Sequence, residues 1–185
     1  NASAAMNVFL DAAWSIPLFP LLAWGLISLT PLRRGGHTAG LLATGLVALA
    51  AVFALGLLAV VAGHYGDTQA ALASLAPAAQ EGEGFAFPEP AAVWRFAWVA
   101  TGGGAFEMGY YVDPLVAAML AMVTITSTGI HVFSLGYMGA SRRQERFFSL
   151  IALFTAAMLL TVLADNLLLF FVAWEIMGVC SYLLI

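Results

Sequence analysis

Residues 166–185, at the end of the chain, read NLLLFFVAWEIMGVCSYLLI and constrain its fold more than any other stretch. They are apolar throughout except for one carboxylate, Glu175, near the middle. A helix rises about 1.5 Å per residue, so a stretch of this length matches a bilayer core of about 30 Å. We therefore predict a membrane-spanning helix that carries Glu175 close to the midplane.

A carboxylate at that depth costs at least a few kcal/mol and is a candidate functional group. An apolar surrounding favours the protonated form of a carboxyl group, and a nearby cation favours the charged form. Glu175 can therefore serve in a proton relay. Gly178, one turn on, leaves room for water or a partner helix, and Tyr182 follows two turns on along the same face. The alternative is a neutral Glu175 that makes a hydrogen bond to another helix for assembly alone.

The composition extends this interpretation to the whole chain. Of its 185 residues, 63% are hydrophobic and 9% are charged, which indicates an all-α polytopic membrane protein. The formal net charge of −4 is spread over the loops, and we expect no binding of nucleic acid. Cys180 is the one cysteine, and there is no glycine-rich phosphate loop and no Cys/His cluster. We therefore expect no metal site, no redox cofactor and no bond-making chemistry on this chain.

Apolar stretches long enough to span a membrane occur five times. They occupy residues 8–30, 39–62, 114–135, 147–164 and 166–185. Pro17 and Pro20 predict a kink or an irregular first turn in the first of them. The chain begins at Asn1 and stops inside an apolar stretch, so we expect a piece of a longer protein with Met6 as its natural start.

The middle of the chain is more polar and divides it into three parts. Residues 1–62 hold the first two membrane helices, 63–112 form an outer loop, and 113–185 hold three further helices. Within the loop, the aromatic-rich runs 93–99 and 105–112 flank a run of glycines, which predicts a β-hairpin. Asp113 is a natural N-cap and Pro114 suits the first helical position, so a helix begins there.

The third span is unusually polar toward its end. Thr124, Ser127 (or Thr128) and His131 follow the spacing of one helix face. Such a face can line a hydrated half-channel. The alternative is that the hydroxyls bond back to carbonyls of their own helix and that His131 lies at the membrane interface.

The arginines predict the orientation. All six basic residues are arginines, and five of them lie in the connections between spans one and two and between spans three and four. Five spans place both connections on one side, which the positive-inside rule makes cytoplasmic. The N-terminus, the hairpin and the short connection at Asp165 and Asn166 are then on the outer side of the cell inner (plasma) membrane.

From position 112 onward, six segments form a recognisable set. They are Val112-Asp113-Pro114-Leu115, Ile130-His131-Val132-Phe133-Ser134-Leu135-Gly136-Tyr137-Met138, Arg146-Phe147-Phe148, Leu163-Ala164-Asp165-Asn166-Leu167-Leu168-Leu169, Trp174-Glu175 and Gly178-Val179-Cys180-Ser181-Tyr182-Leu183-Leu184-Ile185. With these segments the chain resembles the antiporter-like subunits of respiratory complex I, above all the largest of them, subunit L (chain 5) of NADH-quinone oxidoreductase. One departure is Ile176-Met177, where the family usually has Gly-Val.

The resemblance implies a fold of two inverted repeats with broken helices, of which this chain holds the beginning. It implies that Glu175 is the proton-channel acid, paired with a lysine on a later helix, with His131 and Asp165 as further candidates. It also implies that NADH, FMN, iron–sulfur clusters and quinone bind to partner subunits. The expected partners are other membrane subunits of the complex and the lipid bilayer.

The resemblance leaves a second function open. The large subunit of multi-subunit Mrp-type cation/proton antiporters shares the same motifs, as do related subunits of other ion-translocating complexes. We therefore expect either a proton-translocating subunit of an NADH:quinone oxidoreductase or a subunit of a secondary antiporter. A membrane scaffold in which Glu175 is inert is the third interpretation.

Overall fold

The computed structural model describes residues 10, 12–31, 35–75, 92–101, 104–139, 141 and 143–185. Three features of the predictions lie outside them: the start at Met6, the arginines Arg33, Arg34 and Arg142, and residues 76–91 of the predicted outer loop. The described elements are five α-helices and a two-stranded sheet. Their bounds are α1 Leu18–Leu29, α2 Gly36–Leu75, β1 Ala92–Thr101, β2 Gly104–Val112, α3 Pro114–Tyr137, α4 Gln144–Leu163 and α5 Leu167–Leu184.

Four of the described helices are long and apolar enough to cross a membrane. They are Gly36–Gly63 within α2, and the whole of α3, α4 and α5. The polytopic helical class is thereby confirmed. Of the predicted first span, the described residues form a shorter apolar helical stretch, Ala13–Leu29. A short 3-10 helix, Ala13–Ser15, precedes Pro17, and α1 starts after that proline. Proline lacks an N–H and fits only the first turn of a helix, so the helix is interrupted where the sequence predicted a kink or an irregular turn.

The second helix also differs from its prediction. The apolar part of α2 ends at Gly63, as expected, but the helix itself continues to Leu75. Residues 63–75 are therefore helical, whereas the sequence predicted a loop from 63 onward. Ala, Gln and Leu have high helix propensity and keep the helix going after its hydrophobic part has ended.

The predicted β-hairpin is confirmed. Strands β1 and β2 pair antiparallel, with Arg95 opposite Gly109 and Trp94 opposite Tyr110, and the register shifts between Ala97 and Val99. Directly after β2, the side chain of Asp113 accepts a hydrogen bond from the Val116 amide at 2.6 Å, which caps the start of α3 as predicted.

Two clusters of buried side chains hold the helices together. In one, Leu57 of α2, Leu120 of α3 and Leu159 of α4 meet, and each is fully buried. In the other, Ile27 of α1 and Phe148 of α4 pack with small residues of α2. The last helix, α5, packs mainly against α4, and most of its surface faces away from the other described helices.

Candidate functional site

Glu175 lies at the ninth of the eighteen positions of α5. The helix begins at Leu167 because Asn166 caps it: the Asn166 side-chain oxygen accepts a hydrogen bond from the Leu169 amide at 2.8 Å. The face of α5 that packs on α4 carries Ala173 and Cys180, which are buried. Glu175 is two residues from Ala173, a rotation of about 200°, and so projects from the opposite face.

That opposite face of α5 is uncovered in the described part of the chain. Glu175 is exposed there, and so are Gly178 and Tyr182, which share its face. Within the described ranges the structure gives one salt bridge, and it does not involve Glu175. The acid therefore has no cationic partner among the described side chains.

His131, the second candidate, is fully buried inside the helical bundle. Its Nδ1 donates a hydrogen bond to the Ser127 carbonyl at 2.8 Å, since a carbonyl oxygen can only accept. In a neutral ring Nε2 is then a bare acceptor, and it has no partner among the described groups. The ring lies beside Phe148, with centroids 6.1 Å apart. The His131 ring is therefore enclosed by the bundle and not exposed on its surface.

The hydroxyls near His131 behave as the alternative interpretation predicted. Thr124 donates to the Leu120 carbonyl at 2.7 Å and Thr128 to the Thr124 carbonyl at 2.7 Å, both within α3. Ser127 differs, because its hydroxyl accepts a bond of 3.4 Å from Thr155 of α4. A cavity of about 240 Å³ opens between α3 and α4, lined mainly by apolar side chains together with Thr126, Ser127, His131 and Thr155.

Asp165, the third candidate, pairs with an arginine that sequence reasoning did not connect to it. Arg95 of β1 donates from Nε to one Asp165 oxygen at 2.5 Å and from Nη2 to the other at 3.0 Å. The Asp165 side chain is 8% exposed in this pair. The hydrogen bond and the charge of Asp165 raise the pKa of the Arg95 guanidinium, and Glu107 adds to the effect. The available signal was that Arg95 is the one arginine outside the two arginine-bearing connections.

The three candidates thus occupy three separate environments. Glu175 faces outward from the middle of α5, His131 is inside the bundle, and Asp165 lies in the connection between α4 and α5. Among the residues that the structure describes, no group of three or more His, Cys, Asp or Glu side chains could hold a metal ion.

Comparison with known proteins identifies the family. Residues 98–148 match the family model described as the N-terminus of chain 5 of NADH-ubiquinone oxidoreductase (complex I). Subunit 5 of the chloroplast NAD(P)H-quinone oxidoreductase of Nephroselmis olivacea is 33% identical over 97% of this chain. The chain belongs to the complex I chain 5 family. The resemblance stated from its motifs is thereby confirmed.

Other members of the complex I chain 5 family agree more closely over shorter stretches. The chloroplast subunit 5 of Mesostigma viride is 45% identical over 52% of this chain and 15% of its own length. F(420)H(2) dehydrogenase subunit L of Methanosarcina mazei is 53% identical over 40% of this chain and 11% of its own length. The Nephroselmis relative is covered over 25% of its length. The chain thus spans a quarter or less of these relatives and is a multi-pass membrane segment of the family.

Proposed function

We propose that this chain is the first part of a proton-translocating membrane subunit of an NADH:quinone oxidoreductase complex, with Glu175 as the acid of its relay. The observation that carries the proposal is the position of Glu175. It lies halfway along a helix long enough to cross a membrane, on the face that the described helices leave uncovered. Membership of the complex I chain 5 family supports the same function.

The position of Glu175 supports a relay through its electrostatics. A charged carboxylate at mid-membrane is costly unless a cation or water compensates it, and no described side chain supplies the cation. We assign the compensating charge to a lysine on a later helix, as the resemblance to the antiporter-like subunits implies, or to another chain. A shift of that charge toward or away from Glu175 changes whether the carboxyl binds or releases a proton. Gly178, exposed on the same face, leaves space for that partner or for water.

His131 enters the proposal as a second proton-carrying group. Its fixed Nδ1–H···O bond to Ser127 leaves Nε2 free to accept a proton, and the cavity beside it carries two hydroxyls in contact with each other. Asp165 enters differently. Its two hydrogen bonds to Arg95 support a role in holding the outer end of α5 rather than in carrying protons.

The remaining parts of the function are assigned to partners. NADH, FMN, iron–sulfur clusters and quinone would bind to other subunits, and this chain would contact the bilayer and neighbouring membrane subunits. The named relatives include both NAD(P)H-quinone and F(420)H(2) enzymes, which supports oxidation of the electron donor on another subunit. These names favour an oxidoreductase complex over a cation/proton antiporter. We propose the plasma membrane as its location, with the N-terminus and the hairpin outside and residues 113–185 opening the antiporter-like core.

Replacement of Glu175 by Gln in the intact complex tests the proposal. Electron transfer and the proton gradient are recorded together in sealed vesicles, with Glu145→Gln in the first turn of α4 as the matched control. We expect NADH oxidation to continue in Glu175→Gln while proton pumping falls several-fold, and both to persist in the control. Unchanged pumping would remove Glu175 from the relay. If no NADH-linked activity co-purifies with this chain, the antiporter function is favoured.

A further inference from the structure

The hairpin holds the connection between α4 and α5 through its second strand. The Asp165 amide donates to the Gly109 carbonyl at 3.3 Å, and the Asn166 side-chain amide donates to the Glu107 carbonyl at 2.7 Å. Tyr110 and Ala164 form an antiparallel bridge beside them. The connection therefore lies along the edge of β2 like a short third strand.

Arg95 adds a contact that reaches across the hairpin. It belongs to β1, and its partner in the register is Gly109 of β2. A Cβ atom on Gly109 would lie 2.8 Å from the Cγ of Arg95 and 2.2 Å from the Trp94 carbonyl oxygen. Because Gly109 has no side chain, Arg95 can pass over β2 and bind Asp165 on the far side. The pairing of Arg95 with Asp165 thus depends on the glycine at position 109.

The connection that Arg95 binds leads directly into α5, the helix that carries Glu175. Asn166, next to Asp165, binds the hairpin with its nitrogen and caps α5 with its oxygen. Glu175 follows Leu167 by eight residues, which places it about 12 Å along the helix axis. A movement of the capped end is transmitted along a rigid helix to Glu175.

We infer that Arg95 is a positioning residue: through Asp165, and in the gap left by Gly109, it fixes the outer end of α5 and so the place of Glu175 in the membrane. The effect on proton transfer rests on the function proposed above. The anchoring of α5 does not, and it can be measured separately.

The test compares Arg95→Gln and Asp165→Asn with a charge exchange, Arg95→Asp together with Asp165→Arg, in the intact complex. Arg143→Gln, an exposed arginine just before α4, is the control. Two quantities are measured: hydrogen–deuterium exchange of the peptide that covers 164–170, and protons pumped per electron pair. Arg95→Lys, which can form one bond in place of two, gives a conservative variant should the others assemble poorly.

We expect exchange at 164–170 to rise about two- to fivefold in the single variants, the range for an ion pair whose arginine lies at the surface. The number of protons per electron pair falls in the same variants. The charge exchange recovers both quantities in large part, and the control changes neither. Recovery of the pumping ratio is a result that general loss of structure would not give.

Exchange equal to that of the control would overturn the anchoring. Faster exchange with an unchanged pumping ratio would overturn the positioning of Glu175. Failure of the proposed function has a different signature, in which Glu175→Gln pumps normally while Arg95→Gln still exchanges faster. In that case the positioning inference falls with the relay, and the anchoring of α5 by Arg95 is established by itself.

Discussion

Gly40 of α2 lies directly against the buried ring of Phe148 in α4. A Cβ atom at position 40 would be 2.8 Å from Cε2 of that ring and 2.7 Å from the Leu135 side chain of α3. Three helices therefore meet at one residue that has no side chain. The close approach keeps α4 against α2 and α3, and α4 in turn carries α5 with Glu175.

We predict that Gly40→Ala destabilises the bundle although alanine favours helix. The end of Leu135 can move, but the Phe148 ring is fully buried and must shift, so overpacking should cost about 1–3 kcal/mol. Thermal unfolding of the purified protein in detergent measures the effect. Gly45→Ala in the same helix is the matched control, because a Cβ there meets nothing within 4 Å. A transition no lower in Gly40→Ala than in Gly45→Ala would contradict the three-helix contact.

The sequence predicted the features that depend on neighbouring residues. Asp113 caps its helix as expected, since an N-cap bonds to an amide three positions on in the same chain segment. The aromatic strands on either side of the glycines form the predicted hairpin, because its turn also depends on residues that are close in sequence.

The contacts between distant segments could not be predicted in this way. Arg95 and Asp165 are 70 residues apart, and their pairing depends on the space that Gly109 leaves in a strand between them. The continuation of α2 beyond Gly63 was missed because the loss of hydrophobic residues was interpreted as the end of the helix.

His131→Asn distinguishes the roles of the two ring nitrogen atoms. An asparagine amide sits near the position of Nδ1 and can still donate to the Ser127 carbonyl, but nothing replaces Nε2. We predict that the variant assembles normally and that its protons per electron pair decrease. Thr128→Val is the control, because the Thr128 hydroxyl bonds only to its own helix carbonyl in the described contacts. A pumping ratio equal to that of the unmodified complex would assign His131 a packing role.

The anchoring by Arg95 should not depend on pH across the working range. Asp165 raises the pKa of the guanidinium above its ordinary value, and a base with a raised folded-state pKa stabilises the fold below its unfolded pKa. This stabilisation is lost only as the pH rises through the raised value. From about pH 6 to about pH 9, exchange at 164–170, corrected for its intrinsic pH dependence, should therefore stay constant.

Arg95→Lys lowers the pH at which the pairing with Asp165 is lost. Lysine has an ordinary pKa of about 10.4, so its pairing with Asp165 should weaken as the pH rises through about 11 while that of arginine persists. Exchange at 164–170 measured on both forms over this range distinguishes them. If the arginine form already loosens between about pH 6 and about pH 9, the guanidinium does not set the pH limit of the anchor.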